Sequence, residues 1–303
     1  MDNWIEMSTV DSIIVHPLTW NPNKAWDEIT KKSSISDLKQ PLVIDCELKL
    51  NASISETFMR VVCISDTHSR IETSEIDIPE GDVIIHAGDF SNTGALKQVR
   101  KFNNWLGSLP HKHKVVIAGN HELSFDPNYV SHMKTFQKSP AKDSNKNISA
   151  EEMQKELTNC IYLQDSCVEL YGIKIYGSPW QPEFGNWGFN LKRGSDILEK
   201  WNKIPDDTDI LITHGPPLGY GDLCTNGQRA GCVELLNTVR LRVKPKYHIY
   251  GHIHEGYGVR SDGQITYINA SICNVRGFPI NKPVVFDIEI PKGGSKSQTY
   301  DSK

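Results

Sequence analysis

Five apolar runs punctuate the chain: Val61-Val62-Cys63-Ile64, Val83-Ile84-Ile85, Val115-Val116-Ile117, Ile210-Leu211-Ile212 and Tyr247-His248-Ile249-Tyr250. Each stops at a short polar cluster, the signature of a buried strand that ends in a turn. Stretches of helical period lie between them. Leu96, Val99, Phe102 and Leu106 share one face of a helix that ends near Pro110. Leu191, Ile197, Leu198 and Trp201 mark a second over residues 191–204, before Pro205. Val233, Leu236, Val239 and Val243 mark a third, with Arg240, Arg242 and Lys244 in its last turn, where the helix dipole favours cations. The second half adds antiparallel-looking strands at 160–170 and 173–176 around a Tyr171-Gly172 turn, then at 265–268 and 284–288.

From Met59 to about Ile290 the two periods alternate without a linker-like shift in composition, which predicts one domain over residues 57–292. Residues 1–56 lack that periodicity and read as a partly irregular N-terminal extension, with an edge strand expected at Pro41–Asp45. Residues 132–158, rich in Lys, Ser and Asn, read as a surface insertion with a short helix at Ala150–Leu157, and 293–303 as a polar tail. Mixed strands with helices between them predict an α/β fold, a four-layer α-β-β-α sandwich of two mixed sheets flanked by helices.

At 303 residues the chain can bury a full-sized core. A net charge of -4 offers no footprint for bulk nucleic acid or an anionic membrane. A small anionic substrate stays open, because bound metal ions invert the local charge. The cysteines (Cys46, Cys63, Cys160, Cys167, Cys224, Cys232 and Cys273) show no C-x-x-C spacing, which predicts reduced thiols and no disulfide framework. The polar segment Met1–Ser12 has no apolar signal region, and no stretch approaches the ~20 apolar residues of a membrane span. The expected location is cytoplasmic, with the nucleus left open.

The chemistry sits in the polar clusters: Asp66-Thr67-His68, Gly88-Asp89, Gly119-Asn120-His121-Glu122, His214 and Gly251-His252-Ile253-His254. Buried alone, such side chains are costly; together they suit divalent cations. Two ions ~3.5–4 Å apart need a shared ligand, and a carboxylate, with two oxygens, can bridge where an imidazole normally cannot. Asp89, with Gly88 clearing space beside it, is the natural bridge. Asp66 and His68 can both turn inward where a strand ends, Asn120 offers a neutral amide oxygen, and His252 and His254 can address different ions. Each element alone reads as a turn or a cap. The ordered set of five strand-end clusters is what points to a metal site.

The set resembles the pattern of the calcineurin-like metallophosphoesterase superfamily, D-x-H, G-D, G-N-H-[DE], H, G-H-x-H. Longer stretches, Cys63-Ile-Ser-Asp-Thr-His-Ser-Arg70, Ile117-Ala-Gly-Asn-His-Glu-Leu123, Thr213-His-Gly-Pro-Pro-Leu218, Gly231-Cys-Val-Glu-Leu-Leu-Asn237 and His254-Glu-Gly-Tyr-Gly258, resemble its metallophosphoesterase-domain-containing group, a brain-type subset of class III cyclic-nucleotide phosphodiesterases. The similarity covers about residues 59–290. It implies that Asp66, His68 and His254 hold one metal and Asn120, His214 and His252 the other, with Asp89 shared. His121 would face the phosphate and protonate the leaving oxygen, while a hydroxide bridging the ions attacks phosphorus in line. Some members of the group carry Gly where His252 stands, which weakens their second metal site; this chain keeps the His.

The implied activity is a dinuclear metal-dependent phosphodiesterase acting on nucleotide-type phosphodiesters, including cyclic nucleotides. A phosphomonoesterase or protein phosphatase, and a nucleotide-binding scaffold with vestigial activity, are the alternatives. Two divalent ions are expected as cofactors, Mn2+ first, with Fe, Zn, Co, Ni or Mg as alternatives. The expected partner is a small phosphodiester or nucleotide; protein partners are left open. Trp180, Phe184 and Trp187 form an aromatic-rich loop that could stack a base or simply pack the loop onto the body. Asn269-Ala-Ser271 reads as ordinary turn chemistry, and Gly215–Tyr220 as a turn holding His214 at the pocket rim. His86 and His248, inside apolar runs, read as core histidines or supports of ligands. Glu122 reads either as a residue that orients His121 or as a surface ion pair.

Overall fold

The computed structural model describes residues 12–32, 47–48, 55–71, 74–129 and 148–297. The edge strand expected at Pro41–Asp45 and most of the polar insertion lie outside these residues. The first sheet contains β1 (Glu47–Leu48), β2 (Phe58–Ile64), β3 (Val83–Ala87), β4 (His113–Ile117), β5 (Ile161–Tyr162) and β14 (Val284–Glu289), in the order β1-β14-β2-β3-β4-β5. The second contains β6 (Ser166–Leu170), β7 (Ile173–Ser178), β10 (Ile210–Thr213), β11 (Tyr247–Tyr250), β12 (Gly258–Ser261) and β13 (Thr266–Asn269), in the order β12-β13-β11-β10-β7-β6. A small ladder pairs β8 (Gln181–Pro182) with β9 (Asn190–Leu191). The helices are α1 (Pro22–Lys32), α2 (Leu96–Ser108), α3 (Ala150–Gln154), α4 (Ser195–Trp201) and α5 (Val233–Asn237).

In the first sheet β2, β3, β4 and β5 run parallel and β14 antiparallel to β2. In the second, β7, β10, β11 and β13 run parallel, with antiparallel β6 and β12 at the edges. Alternate residues fill the space between the sheets: Val61, Cys63, Ile85, Val115 and Ile117 meet Ile175, Ile210, Ile212, Ile249 and Ile268. Each such side chain contributes ~1.5–3 kcal/mol by leaving water. The residues in between point outward. Val62, Ile64 and Ile84 lie under Trp105 and Leu109 of the α2 region, while Leu211, Tyr250 and Tyr267 lie under Trp201, Val233, Leu236 and Val239. Helix, sheet, sheet, helix: the four layers are those the alternation predicts. The described cysteines are all free, and no described helix is long and apolar enough to cross a membrane.

Three expectations need correction. The helix read at 191–204 spans only Ser195–Trp201, because Leu191 is drawn into the ladder with Pro182 and Gly194 turns the chain at φ 90°. The third helix is α-helical only to Asn237; Thr238–Val243 winds as a wider π turn closed by Lys244 N–H on Val239 O at 2.8 Å. Its Arg242 donates to Trp201 O and Ile204 O, both at 2.8 Å, and so satisfies carbonyls at and just past the end of α4. The strand read at 160–170 is two strands in different sheets, split by Asp165 at φ 50°. The Tyr171-Gly172 turn forms with both residues left-handed (φ 56° and 81°), which suits a tight hairpin.

The described part of the N-terminal segment packs on the outer helices of the second sheet. Ala25 is buried, Thr19 Oγ1 donates to Glu234 Oε2 at 3.0 Å, and Trp26 meets Tyr220 edge-on at 6.4 Å. In the insertion, Ser149 and Glu152 form a reciprocal cap that starts α3.

Candidate metal centre

Parallel strands end at one edge, so the turns after β2, β3, β4, β10 and β11 converge there. Backbone bonds tie turn to turn: Asp66 N–H to Gly88 O, His68 N–H to Asp89 O, and Gly251 N–H to His214 O, each 3.0 Å. His252 N–H donates to Asp66 Oδ2 at 3.0 Å and joins the two sheets across the edge. Asp66, His68, Asp89 and His252 are left-handed (φ 54°, 44°, 56° and 67°), a conformation that non-glycine residues hold only under constraint. A Cβ on Gly88 would lie 2.5 Å from His214 Nδ1, and one on Gly251 would strike Asp66, so these two positions exclude any side chain.

All seven expected ligands lie in this cluster. Asp66, His68 and His254 form one group of donors within 4.8 Å of one another, and Asp89, His214 and His252 form another. A third group, His68, Asp89 and His121, links them. Asp89 lies between, with Oδ1 3.4 Å from His214 Nε2 and Oδ2 3.8 Å from His68 Nε2. Asn120 Oδ1 is 2.9 Å from His214 Nε2.

The donor chemistry fits cations. His214 Nδ1–H is directed to Ala87 O at 2.9 Å, which turns the Nε2 lone pair toward Asn120 Oδ1 and Asp89. His254 Nδ1–H is directed to Asn274 O at 2.9 Å, so its Nε2 faces His68 Nε2 and Asp66 Oδ1, each at 3.4 Å. Acceptors gathered in this way repel unless a positive charge lies among them. The protein alone meets the demand with protons. Burial opposes charge on His214, but Asp89 outweighs it and pushes the ring up to about 9. Burial likewise opposes charge on His254, and Asp66 pushes it up to about 9. Burial also works against ionising Asp66 and Asp89, yet His254 and His214 respectively hold both below the usual carboxylate range. His252 goes the other way, down to about 4, through burial and then the His214 charge. Divalent cations would occupy the place of those protons, and a mixed carboxylate, amide and imidazole set suits Mn, Fe, Zn, Co or Ni.

Glu122 has a role other than either expected one. It is fully buried, and its partners are not His121. Oε2 accepts from Asp89 N–H at 2.9 Å and Gly119 N–H at 2.7 Å; Oε1 accepts from Ser91 N–H at 2.8 Å and Ser91 Oγ–H at 2.7 Å. One carboxylate therefore clamps the turn after β3 to the turn after β4. Burial, then the charge of Asp89, pushes Glu122 up to about 8, but all four contacts as they stand are donors and leave a carboxyl proton no acceptor, so the ionised form is the one this geometry holds.

His121 is held from behind, with Nδ1–H on Asn92 O at 2.7 Å, and its Nε2 lies 3.9 Å from Asp89 Oδ2. The aromatic loop divides by residue. Trp180 is buried, with its Nε1–H on Asp165, and belongs to the core. Trp187 stacks on the His121 ring at 4.0 Å. Phe184 is 65% exposed and stands 6.4 Å edge-on from the His252 ring, so its face is open to a ligand. Gly188 N–H on Asn120 O at 2.9 Å and Phe189 N–H on Asp126 Oδ2 at 2.7 Å anchor this loop to the site. Asn269 does more than close a turn: it is buried and its Nδ2 holds Ile253 O, between the two strand-end histidines, at 2.8 Å. His86 and His248 are buried outside the donor groups, and burial pushes both down to about 3, which keeps their rings neutral.

Comparison with known proteins places this geometry. Metallophosphoesterase domain-containing protein 1 of Homo sapiens is 56% identical over 238 residues, 78% of this chain and 72% of that one. The UPF0046 protein C25E10.12 of Caenorhabditis elegans is 43% identical over 288 residues, 94% of this chain and 98% of its own. A second worm protein, UPF0046 protein T07D4.2, is 43% identical over 305 residues, 96% of this chain and 73% of its own. The family model for calcineurin-like phosphoesterase matches residues 59–256, a span that includes every turn of the cluster. The chain belongs to the calcineurin-like phosphoesterase family, metal-dependent hydrolases of phosphoesters.

Proposed function

We propose that the chain is a dinuclear phosphodiesterase that hydrolyses nucleotide-type phosphodiesters, cyclic nucleotides among them. The observation that carries this reading is the pair of donor groups, Asp66–His68–His254 and Asp89–His214–His252, joined through Asp89 in one cluster. Asp66, His68 and His254 would hold one divalent ion; Asn120, His214 and His252 would hold the other; Asp89 would be shared. Mn2+ is the first choice. Bound there, the ions supply Lewis-acid polarisation of phosphoryl oxygens and a nucleophilic water at neutral pH.

The chain's own residues position and protonate. His121, backed by Asn92 O and stacked on Trp187, presents Nε2 to the cluster, and from Nε2 it delivers a proton to the leaving oxygen. That proton matters most for an alkoxide leaving group, as in a nucleotide diester. The open ring of Phe184 beside His252 offers a stacking face for a base, which supports a nucleotide-sized substrate.

The test is turnover by Mn-loaded protein of bis-nitrophenyl phosphate, nitrophenyl phosphate and a cyclic nucleotide. Metal-dependent hydrolysis of the diester and the cyclic nucleotide, well above the monoester, is expected. Preference for the monoester would make the chain a phosphomonoesterase. Negligible turnover with both metals bound would make it a binding scaffold.

A further inference from the structure

Two histidines outside the donor groups occupy matching places in the two sheets. His86 lies on β3 and reaches across to Thr67, past the end of neighbouring β2, with Nε2 2.9 Å from Thr67 Oγ1. His248 lies on β11 and reaches across to Thr213, the last residue of neighbouring β10, with Nε2 2.8 Å from Thr213 Oγ1. Thr67 sits between Asp66 and His68; Thr213 directly precedes His214. All four side chains are buried.

The hydrogen-bond roles are determined at the second pair. The single hydroxyl proton of Thr213 is directed to Gly215 O at 2.7 Å, so the hydroxyl oxygen accepts and His248 Nε2–H donates. The other ring nitrogen, Nδ1, then has no protein partner in His248, and His86 Nδ1 has none either. The rest of each ring faces aromatic side chains: Phe102 at 5.1 Å and Phe90 at 6.1 Å from His86, Tyr250 at 5.0 Å and Tyr267 at 6.1 Å from His248. An apolar ring would suit these aromatic surroundings better, since it leaves no acceptor unpaired. What an apolar ring cannot do is hold the threonine.

We infer that His86 and His248 are positioning residues, each fixing the ligand turn of the neighbouring strand through a threonine hydroxyl, one for each half of the donor cluster. His86 acts on the turn that carries Asp66 and His68, both left-handed and in need of restraint. His248 acts on the turn that carries His214. The inference rests on the metal reading above.

The test is Mn2+ titration of the metal-free full-length protein by calorimetry, the two binding steps being assigned with His252→Gly and His254→Ala. His248→Phe fills the same space without the donor, and His248→Gln returns an N–H near the place of ring Nε2. Supports of this kind typically contribute 10–100-fold to metal affinity. His248→Phe and Thr213→Val are expected to weaken by about that factor the step assigned to the His252 side, and His86→Phe and Thr67→Val the step assigned to the His254 side. His248→Gln is expected to recover most of the loss. The threonine variants carry the same test should a histidine variant not fold. Equal weakening of both steps, or no change in either, overturns the positioning role, because general loosening would not choose a side. Wild-type protein that binds neither Mn2+ nor Fe2+, Zn2+, Co2+, Ni2+ or Mg2+ in the same titration overturns the metal reading itself, and the positioning role with it.

Discussion

Replacing Glu122 by Gln changes one atom and removes one negative charge, at a place where both oxygens are engaged by donors. The contacts are Asp89 N–H and Gly119 N–H on Oε2, and Ser91 N–H and Ser91 Oγ–H on Oε1. In its better orientation the Gln oxygen keeps the Asp89 and Gly119 bonds. Its amide group then confronts Ser91 N–H, a donor that cannot reverse its role, while the Ser91 hydroxyl can turn and accept. One buried N–H left without an acceptor costs about 1–3 kcal/mol, and the retained bonds lose their charge assistance, about 1 kcal/mol each. The sum is about 3–5 kcal/mol, which for a domain of this size lowers the melting temperature by on the order of 10 °C. Thermal denaturation followed by circular dichroism reads the first effect. Calorimetric Mn2+ titration reads the second, since the turn bearing Asp89 loses its clamp. Ser91→Ala, which removes the hydroxyl donor to Glu122 and also the acceptor of Gly94 N–H, is expected to cost about 1–3 kcal/mol. A Glu122→Gln protein with unchanged melting temperature and unchanged metal affinity would refute the clamp and place a neutral side chain there instead.

Asp89→Asn is expected to abolish turnover and reduce bound metal from two ions to one or none, read by elemental analysis; two ions in an active variant would sink the shared-ligand assignment. His121→Ala is expected to lose ~10²–10⁴-fold in kcat on a nucleotide diester and clearly less on a nitrophenyl ester, whose leaving oxygen needs no proton. Its metal content is expected to stay at the wild-type value; loss of an ion would instead assign His121 to the His68–Asp89–His121 group. Phe184→Ala is expected to raise KM for nucleotide diesters and leave a diester without aromatic rings unaffected, and equal changes on both would remove the stacking role.

The strands that position the cluster are legible because they are buried on both faces and therefore read as unbroken apolar runs. Their convergence is legible as well, since parallel strands bring their C-terminal ends to one edge. Glu122 is a different matter. Its partners Asp89 and Ser91 lie 33 and 31 residues earlier. The one nearby partner, Gly119 N–H, is a contact that an ordinary turn would also make, so nothing within a few residues of Glu122 distinguishes a buried clamp from a surface charge. The helix at 191–204 fails for a related reason: Leu191 has the right period but pairs with Pro182, a contact made by the loop between them. The aromatic loop carries three equivalent-looking rings, and only the fold separates a core tryptophan, a histidine support and an open face. The N-terminal segment has little period of its own because it docks through scattered residues, Thr19, Ala25 and Trp26, on a surface made by residues some 200 positions later.

The left-handed backbone at Asp66, His68, Asp89 and His252 sets the direction in which this site can decay. At such a position glycine is the residue the backbone would choose, favoured by roughly 1 kcal/mol or more over a side chain held at positive φ. At His252 the replacement would delete a proposed metal donor and relax the backbone in the same step, whereas at Asp66 and Asp89 the carboxylates also accept His252 N–H and His121 N–H, bonds that glycine would lose. On the proposed reading, activity and heat resistance would therefore oppose each other at His252. His252→Gly is the mildest case, since other donors remain beside it. Without metal, that variant is expected to melt above the wild type; with Mn2+ added, the order is expected to reverse. A metal-free variant that melts below the wild type would mean that the surrounding turns hold His252 at no energetic cost.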